Sequence, residues 1–466
     1  MSDTTKGASS ISAIINTVNT IIGSGILVLP YAFRTDSIFL GSLIIIFAGF
    51  ANALGMILQG AASKFLPNGT ATFFTVCRIT YPNLSILFDF AIFLQCFGVN
   101  ISYLVLTGDL MPLVYTFDGW DKYSMKLFYI ACSTLLIIPL SLMKKIDSLK
   151  YASIVALSAI VYICILIYGY FFIALLTDYN NIPIDKIGKV SVFKPQGIKP
   201  VFKTLGVIVL AYTCPTQFSI ISELNNPTMK NICNITYISM SITAFIFLSV
   251  AFSGYLTFGN KLTGNILLMY DNNLYIQTGR ALLVLMVILS FPLMFHPARV
   301  SLSNIYHVII EKLNNKSCIQ FEINNSIENT PLLNTESNNL PEFAQHIVDL
   351  EHENEIPISN TRFYLLSLIL LTCSYIGAIY LNSFELILAI VGSTGGVLIS
   401  FVLPGFYGYK LIASDDESVI RKLYTFTPSE AENPIFKSKL LKKLSFFLII
   451  WGFIVMIICL YATIFE

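Results

Sequence analysis

Long runs of uncharged residues alternate with short polar segments along most of the chain. A helix needs about 17 to 25 mainly apolar residues to cross a bilayer. Eleven runs meet this length: Gly7–Phe33, Ser37–Ser63, Phe90–Gly108, Leu127–Met143, Tyr151–Thr177, Thr204–Ser222, Asn231–Asn260, Ala281–Ala298, Phe363–Phe384, Leu386–Tyr409 and Leu444–Phe465. The pattern therefore predicts eleven membrane-spanning helices.

The composition fits a membrane protein. The chain is 55% hydrophobic and 12% charged, about half the charge of a typical soluble protein, and its mean hydropathy is +0.73. We therefore predict an all-α polytopic membrane protein with the lipid bilayer as its surroundings. The net charge of +1 gives no reason to expect a nucleic-acid partner.

The lysines and arginines indicate the orientation, because these residues are enriched in cytoplasmic loops. With the N-terminus in the cytosol, 18 of the 28 basic residues fall on the cytosolic side. The loop 178–203 weakens this bias, since it places five lysines opposite. Eleven spans then leave the C-terminal Glu466 on the luminal side.

One segment does not belong to the membrane. Residues 314–360 contain eight acidic residues and a single lysine, a composition typical of disorder. We predict a disordered, acidic cytosolic loop that separates residues 1–313, with spans 1–8 and the cytosolic N-terminus, from residues 361–466, with spans 9–11.

The acidic loop also contains a short pattern that fits an acidic dileucine sorting signal. Glu328 is followed at the matching distance by Leu332 and Leu333. A sorting adaptor could reach this pattern in a cytosolic loop. The alternative is a chance match, because such short patterns are common.

Span 1 holds Gly23-Ser24-Gly25 in its middle, where a membrane helix tolerates interruption least. Glycine weakens a helix interior, and backbone groups freed in lipid must face protein or water. A span broken at mid-membrane is how many transporters expose backbone groups to a substrate.

Span 6 is predicted to be broken as well, because Pro215 removes a backbone donor and clashes with the preceding turn. The two breaks are five spans apart. Because five is an odd number, equivalent spans of the two repeats cross the membrane in opposite directions, and the repeats are therefore inverted relative to each other. Matching interruptions in two halves indicate an inverted-repeat transporter with a mid-membrane site, and we place the repeats at about 8–177 and 199–409. The alternative is a simple proline kink.

Several stretches resemble one family of transporters. They are NTIIGSGILVLPYAF (19–33), FDFAIFLQCFGVNISYLVLTGDLMP (88–112), SGYLTFGN (253–260), LSFPLMFHPARV (289–300), and VGSTGG with LPGFYGYKL (within 391–411). They resemble the amino acid/auxin permease superfamily, which includes animal sodium-coupled neutral amino-acid transporters. The resemblance is stronger to the fungal vacuolar amino-acid transporter family, in its exporter branch.

This resemblance covers nearly all of the membrane portion. It implies a LeuT-like fold, with two five-span inverted repeats and an eleventh span. It also implies a location in the vacuolar, lysosome-like membrane and export of amino acids to the cytosol.

The main-chain groups of an amino acid are expected at the break in span 1. Free N–H groups at the start of a half-helix favour a carboxylate, and we assign this role to Gly23, Ser24 and Gly25. The carbonyls of Ile21 and Ile22 would accept the ammonium group. The alternative is ordinary helix packing, in which small residues are enriched.

The pocket for the substrate side chain is expected at span 6. Four residues around the break are predicted to shape it: Thr213, Cys214, Thr216 and Gln217. In span 3, Gln95 and Tyr103 would line the substrate path, and hydrogen bonds between helices are the alternative role for this pair. No charge lies at span 6 to select a charged substrate, which favours neutral amino acids.

The resemblance further suggests a sodium site between spans 1 and 8. Asn19 matches an asparagine that sodium-coupled relatives use, and Ser290 falls where those relatives tend to have threonine. A structural remnant is the alternative, because fungal vacuolar relatives are mostly thought to be proton-linked. No cofactor is expected, and proton coupling, sodium coupling and uniport all stay open.

Proton carriers inside membranes are usually buried ionisable groups, and this chain has few candidates. Asp89, Asp109, Glu223 and Glu385 lie near predicted span ends, and His296 is expected at the water boundary. Their scarcity argues against coupling through a chain of carboxylates at mid-membrane.

We therefore predict a secondary active transporter of neutral amino acids that works by alternating access. The alternative is an amino-acid sensor that signals through the 314–360 loop. An enzyme is not expected, because the chain lacks an HExxH pattern, paired intramembrane aspartates and a Ser/His dyad.

Overall fold

The structure, a computed structural model, describes residues 8–143, 150–179, 182–313, 360–381 and 383–465. Nearly all of these residues are helical, and no β-strand forms within these ranges. The helices are α1 (Ser10–Ile22), α2 (Leu29–Asp36), α3 (Ile38–Ala62), α4 (Phe73–Thr80), α5 (Ser85–Val114), α6 (Lys122–Ser141), α7 (Lys150–Leu176), α8 (Ile198–Tyr212), α9 (Gln217–Ser222), α10 (Met229–Phe258), α11 (Leu274–Leu313), α12 (Asn360–Tyr380), α13 (Phe384–Val391), α14 (Leu403–Leu411), α15 (Glu417–Phe426) and α16 (Lys439–Ile464).

Among the described residues, ten helical segments are long and apolar enough to cross a membrane. The bent pair α1 and α2 makes an eleventh crossing when it is counted as one span. Helices α8 and α9 form span 6, and α13 and α14 form the two ends of span 10. The polytopic all-α fold is thus confirmed. The predicted acidic loop, with the sorting pattern at 328–333, lies outside the described residues.

The two ends of the described chain lie on opposite faces of the molecule. The N–H of Ala8 donates to the Glu223 carbonyl (2.6 Å) at the end of span 6. The Lys199 Nζ donates to the Phe465 carbonyl (3.4 Å) at the start of the same span. We call the face with Ala8 the near face and the face with Phe465 the far face.

The spans pack in two groups. Spans 1, 2, 6 and 7 pack through α1, α2, α3, α8 and α10, whereas spans 3, 4, 8 and 9 pack through α5, α6, α11 and α12. Spans 5 and 10 contact both groups. Each group consists of pairs five spans apart, such as 1 with 6 and 3 with 8. A repeat with a period of five spans would produce this grouping.

Span 10 is irregular between its two helices, where Gly392–Gly396 and Leu398–Val402 form π-helical turns. Distortions of this kind are frequent at functional sites. A Cβ atom on Gly395 would lie 2.6 Å from the backbone nitrogen of Gln95. Glycine at this position therefore lets the backbone of span 10 approach the backbone of span 3.

A strap formed by residues 182–197 crosses the far face. The N–H of Gln196 donates to the Thr35 carbonyl (2.8 Å), and the N–H of Phe39 donates to the Val192 carbonyl (2.9 Å). The N–H of Gly188 donates to the Phe258 carbonyl (3.0 Å). The strap thus ties together the far ends of spans 1, 2 and 7.

Candidate substrate site

Span 1 is broken where the sequence predicts. Helix α1 ends at Ile22, Ser24–Leu27 form a 3-10 turn, and α2 begins at Leu29. The axes on the two sides of the break differ by 53°. Within the described residues, no side chain caps the 3-10 turn or α2. The first N–H groups of these segments and the last carbonyls of α1, including Ile21 and Ile22, therefore lack helical partners.

The two glycines of the break have different surroundings. A Cβ atom on Gly25 would lie 2.9 Å from the Cβ and 3.0 Å from the Cα of Ala211. A Cβ atom on Gly23 would meet nothing nearer than the Thr20 carbonyl oxygen at 3.9 Å. Gly25 therefore brings span 1 against span 6, and Gly23 leaves room beside the exposed backbone.

Span 6 is also interrupted, as predicted. Helix α8 ends at Tyr212, and α9 begins at Gln217. The hydroxyl of Thr213 donates to the Val209 carbonyl (2.9 Å) and lies 3.0 Å from the Ser400 hydroxyl of span 10. The Gln217 Oε1 is buried without a hydrogen-bond partner. Because Gly25 touches Ala211, one residue before the end of α8, the two breaks meet at one depth.

Gln95 joins this region from span 3. Its side chain is buried, and its Oε1 has no hydrogen-bond partner. A Cβ atom on Gly396 would lie 3.4 Å from the Thr213 Oγ1 and 3.5 Å from the Gln95 Oε1. The carboxamide of Gln95 and the hydroxyl of Thr213 therefore lie close to the same glycine of span 10.

Three further polar residues lie beside the break in span 6, and the sequence did not predict them. Asn52 and Gln59 on span 2 and Ser400 on span 10 line a cavity of about 10 Å³ beside Cys214, about the size of one water molecule. The Gln59 Nε2 donates to the Ile399 carbonyl (3.2 Å), while its Oε1 has no partner. Asn52 and Gln59 are seven residues apart, so they share a helix face, and this spacing could have revealed them.

The other predicted residues lie at varied distances from the break. Thr216 is exposed. Tyr103 is buried on α5, eight residues or about 12 Å along the helix from Gln95. Asn19 lies on α1 one turn before the break, and Ser290 is half-buried on α11. The sodium site and the path-lining role of Tyr103 stay predictions.

A larger cavity of about 140 Å³ lies at the near face. Its wall includes Ile221 and Ser222 of α9, and Ser63 and Lys64 at the end of span 2. Helix α9 has only six residues, or about 9 Å. The near-face cavity is therefore separated from the span 6 break by less than two turns of helix.

The whole chain fits one family model. The model described as "Transmembrane amino acid transporter protein" matches residues 6–465. The chain belongs to this family. It is therefore a membrane transporter and not an enzyme, and the resemblance noted from its motifs is confirmed.

The transporter is similar to several named proteins over most of its length. It is 34% identical to vacuolar amino acid transporter 6 of Saccharomyces cerevisiae, over 97% of this chain and 98% of that protein. It is also 34% identical to vacuolar amino acid transporter 7 of the same yeast, over 98% of both chains. Human solute carrier family 38 member 10 is 23% identical over 88% of this chain and 33% of its own length.

Proposed function

We propose that this transporter moves neutral amino acids across the vacuolar membrane toward the cytosol by alternating access. The observation that carries the proposal is the meeting of two broken spans at one depth, through Gly25 and Ala211. Such a junction presents free backbone groups inside the protein, where a membrane transporter binds its substrate.

The main chain of the amino acid would bind at span 1. The uncapped N–H groups that follow Gly23 suit a carboxylate, and the carbonyls at the end of α1 suit an ammonium group. Gly23 leaves space for this approach, since a Cβ atom there meets nothing within 3.8 Å and only the Thr20 carbonyl oxygen at 3.9 Å.

The side chain of the amino acid would lie toward spans 3, 6 and 10. The polar groups described there are uncharged: Gln95, Thr213, Gln217 and Ser400. A charged substrate side chain would be buried without an opposite charge, which is costly. A neutral side chain meets no such penalty, so the local chemistry favours neutral substrates.

Alternating access would arise from movement between the two groups of spans. Spans 1, 2, 6 and 7 carry both breaks, and spans 3, 4, 8 and 9 form the other group. The pairing of spans five apart supports the inverted-repeat, LeuT-like arrangement with repeats at about 8–177 and 199–409. The strap crosses the far face, whereas the larger cavity lies at the near face, and this arrangement supports a conformation closed toward the far side.

The vacuolar location rests on the two yeast relatives, both of which are named vacuolar amino acid transporters. We place the near face in the cytosol, in agreement with the excess of basic residues. The dileucine pattern would then lie on the cytosolic side. Replacing Leu332 and Leu333 with alanine in a fluorescently tagged chain tests whether this pattern is a sorting signal. Unchanged delivery to the vacuole would show that it is not.

Uptake into proteoliposomes that contain the purified chain tests the transport proposal. A panel of labelled neutral, basic and acidic amino acids is supplied with no gradient, with a pH gradient and with a sodium gradient. We expect exchange of neutral amino acids, and empty liposomes give the background. Substrate binding without exchange would favour a sensor, and a preference for charged amino acids would contradict neutral selectivity.

A further inference from the structure

Asp36 is a fully buried carboxylate at the far end of span 1, and the candidate site does not use it. Its relative exposure is 0%. Oδ1 accepts hydrogen bonds from the hydroxyls of Thr35 (2.9 Å) and Thr204 (2.7 Å), and Oδ2 has no partner. Thr204 belongs to α8, so the carboxylate links the far halves of the two broken spans. An ionised carboxylate buried without a cation is costly.

The hydroxyls of Thr35 and Thr204 can form hydrogen bonds whether Asp36 is ionised or neutral. Each hydroxyl carries one proton, and each has a helical carbonyl as a second acceptor. The Thr35 Oγ1 lies 2.9 Å from the Ala32 carbonyl oxygen, and the Thr204 Oγ1 lies 3.0 Å from that of Val201. Both hydroxyls can donate to an ionised Asp36. They can instead donate to the carbonyls, and Thr204 then accepts the proton of a neutral Asp36.

Asp36 lies next to the point where the strap binds span 1. The strap binds the carbonyl of the preceding residue, Thr35, through Gln196. The next residue, Ser37, is buried at φ 71° and ψ 167°, and its hydroxyl has no partner. This backbone region is strongly disfavoured for a residue other than glycine, and such strain is typical of functional positions.

The charged groups that share a helix with Asp36 or Thr204 are cationic, and two of them are held by backbone carbonyls. Arg34, on the same helix, donates to the Leu262 carbonyl, and Lys199 donates to that of Phe465. Helix α3 carries no charged residue, and the phenol of Tyr255 on α10 accepts from the N–H of Ser191 (2.9 Å). The remaining charged groups on the neighbouring elements are Asp185, Lys186, Lys189 and Lys194 of the strap, Lys203 of α8, Lys230 of α10, and Lys261.

We propose that Asp36 is the proton-binding site that couples transport to a pH gradient. When the far face opens, water delivers one proton to the carboxylate. The neutral acid then lets the strap close over the junction of spans 1, 2 and 6. Opening at the near face would then return the proton to the other side together with the substrate. The inference rests on the proposed transport function.

Proteoliposomes test this assignment with a mixture of labelled neutral amino acids. The measurements are gradient-driven accumulation and gradient-free exchange. A gradient of one pH unit is equivalent to about tenfold accumulation in one-to-one coupling. We expect Asp36→Asn to retain exchange and to lose accumulation. Asp109→Asn is the matched control, because Asp109 is paired with Lys126 at 3.0 Å, and it should accumulate like the unmodified chain.

Thr204→Val provides a second test if the asparagine variant does not fold. It removes one hydrogen-bond donor from Asp36 and keeps the carboxylate, so we expect the pH of half-maximal uptake to change. Accumulation by Asp36→Asn, or an unchanged pH profile in Thr204→Val, would overturn the inference. Exchange without pH-driven accumulation in the unmodified chain would overturn it while leaving the transport function intact. Absence of exchange in that chain would overturn both.

Discussion

The breaks in spans 1 and 6 meet at one depth but offer different chemical groups. At span 1 the free groups belong to the backbone, and glycine keeps side chains away from it. At span 6 the break is lined with side chains, and Thr213 is tied to Ser400 of span 10 (3.0 Å). The break in span 1 thus presents free backbone groups, whereas the break in span 6 presents polar side chains.

This difference separates two tasks in the proposed mechanism. Every amino acid has the same carboxylate and ammonium groups, which backbone N–H and C=O groups can bind without regard to the side chain. Selection among amino acids needs side chains, and these lie at span 6. Changes at span 1 should therefore affect all substrates equally, whereas changes at span 6 should alter the order of preference.

The largest effect is expected from Gly25→Ala. The added Cβ atom would lie 2.9 Å from the Ala211 Cβ, so spans 1 and 6 must move apart. Overpacking of this kind typically costs about 1–3 kcal/mol. We expect loss of exchange for every neutral substrate and a lower melting temperature of the purified chain, with a larger loss for Gly25→Leu.

Gly23→Ala is the matched control, since an added Cβ atom there meets only one atom within 4 Å. We expect the contact between spans 1 and 6 to be retained and the binding of all substrates to weaken, because the methyl group occupies the approach to the backbone. Adding Ala211→Gly to Gly25→Ala removes one of the clashing atoms and should partly restore folding. No restoration by this second change would contradict a packing role for Gly25.

An intermediate effect is expected from Thr213→Val, which keeps the shape of the side chain and removes its hydroxyl. A hydrogen bond of this type contributes about 0.5–1.5 kcal/mol, or roughly a two- to tenfold change in KM. We expect the change to differ between substrates. Thr216→Val is the control, because Thr216 is exposed, and it should leave the preference order unaltered.

The sequence was sufficient to predict the crossings and both breaks. The lengths of the uncharged runs indicate eleven spans, and Gly23 to Gly25 and Pro215 mark where helices α1 and α8 end. These signals are local, since glycine and proline act on the backbone that contains them. The family resemblance adds the expected ligand.

The composition of the site was only partly predictable, because the rotation of each helix depends on distant packing. Gln59 donates to the carbonyl of Ile399, 340 residues away, and no local pattern indicates that contact. Asp36 was missed because the uncharged run ends at Phe33, although α2 continues to Asp36. Thr216 is polar in the predicted pocket region, yet it is exposed.

The smallest effect is expected from Gly396→Ala on span 10. The added Cβ atom would make ordinary contacts with the Thr213 Oγ1 (3.4 Å) and the Gln95 Oε1 (3.5 Å), so the fold should be retained. One methyl group at the edge of the pocket is worth about 0.8 kcal/mol, or roughly a fourfold change in KM. We expect KM to rise for large neutral amino acids and to stay constant for alanine and glycine.

Gly395→Ala is the contrasting variant, because its Cβ atom would lie 2.6 Å from the Gln95 nitrogen. It should disturb the packing of spans 3 and 10 and so impair transport of all substrates. Equal effects of Gly396→Ala on small and large substrates would mean that span 6 and its neighbours do not form the selective half of the site.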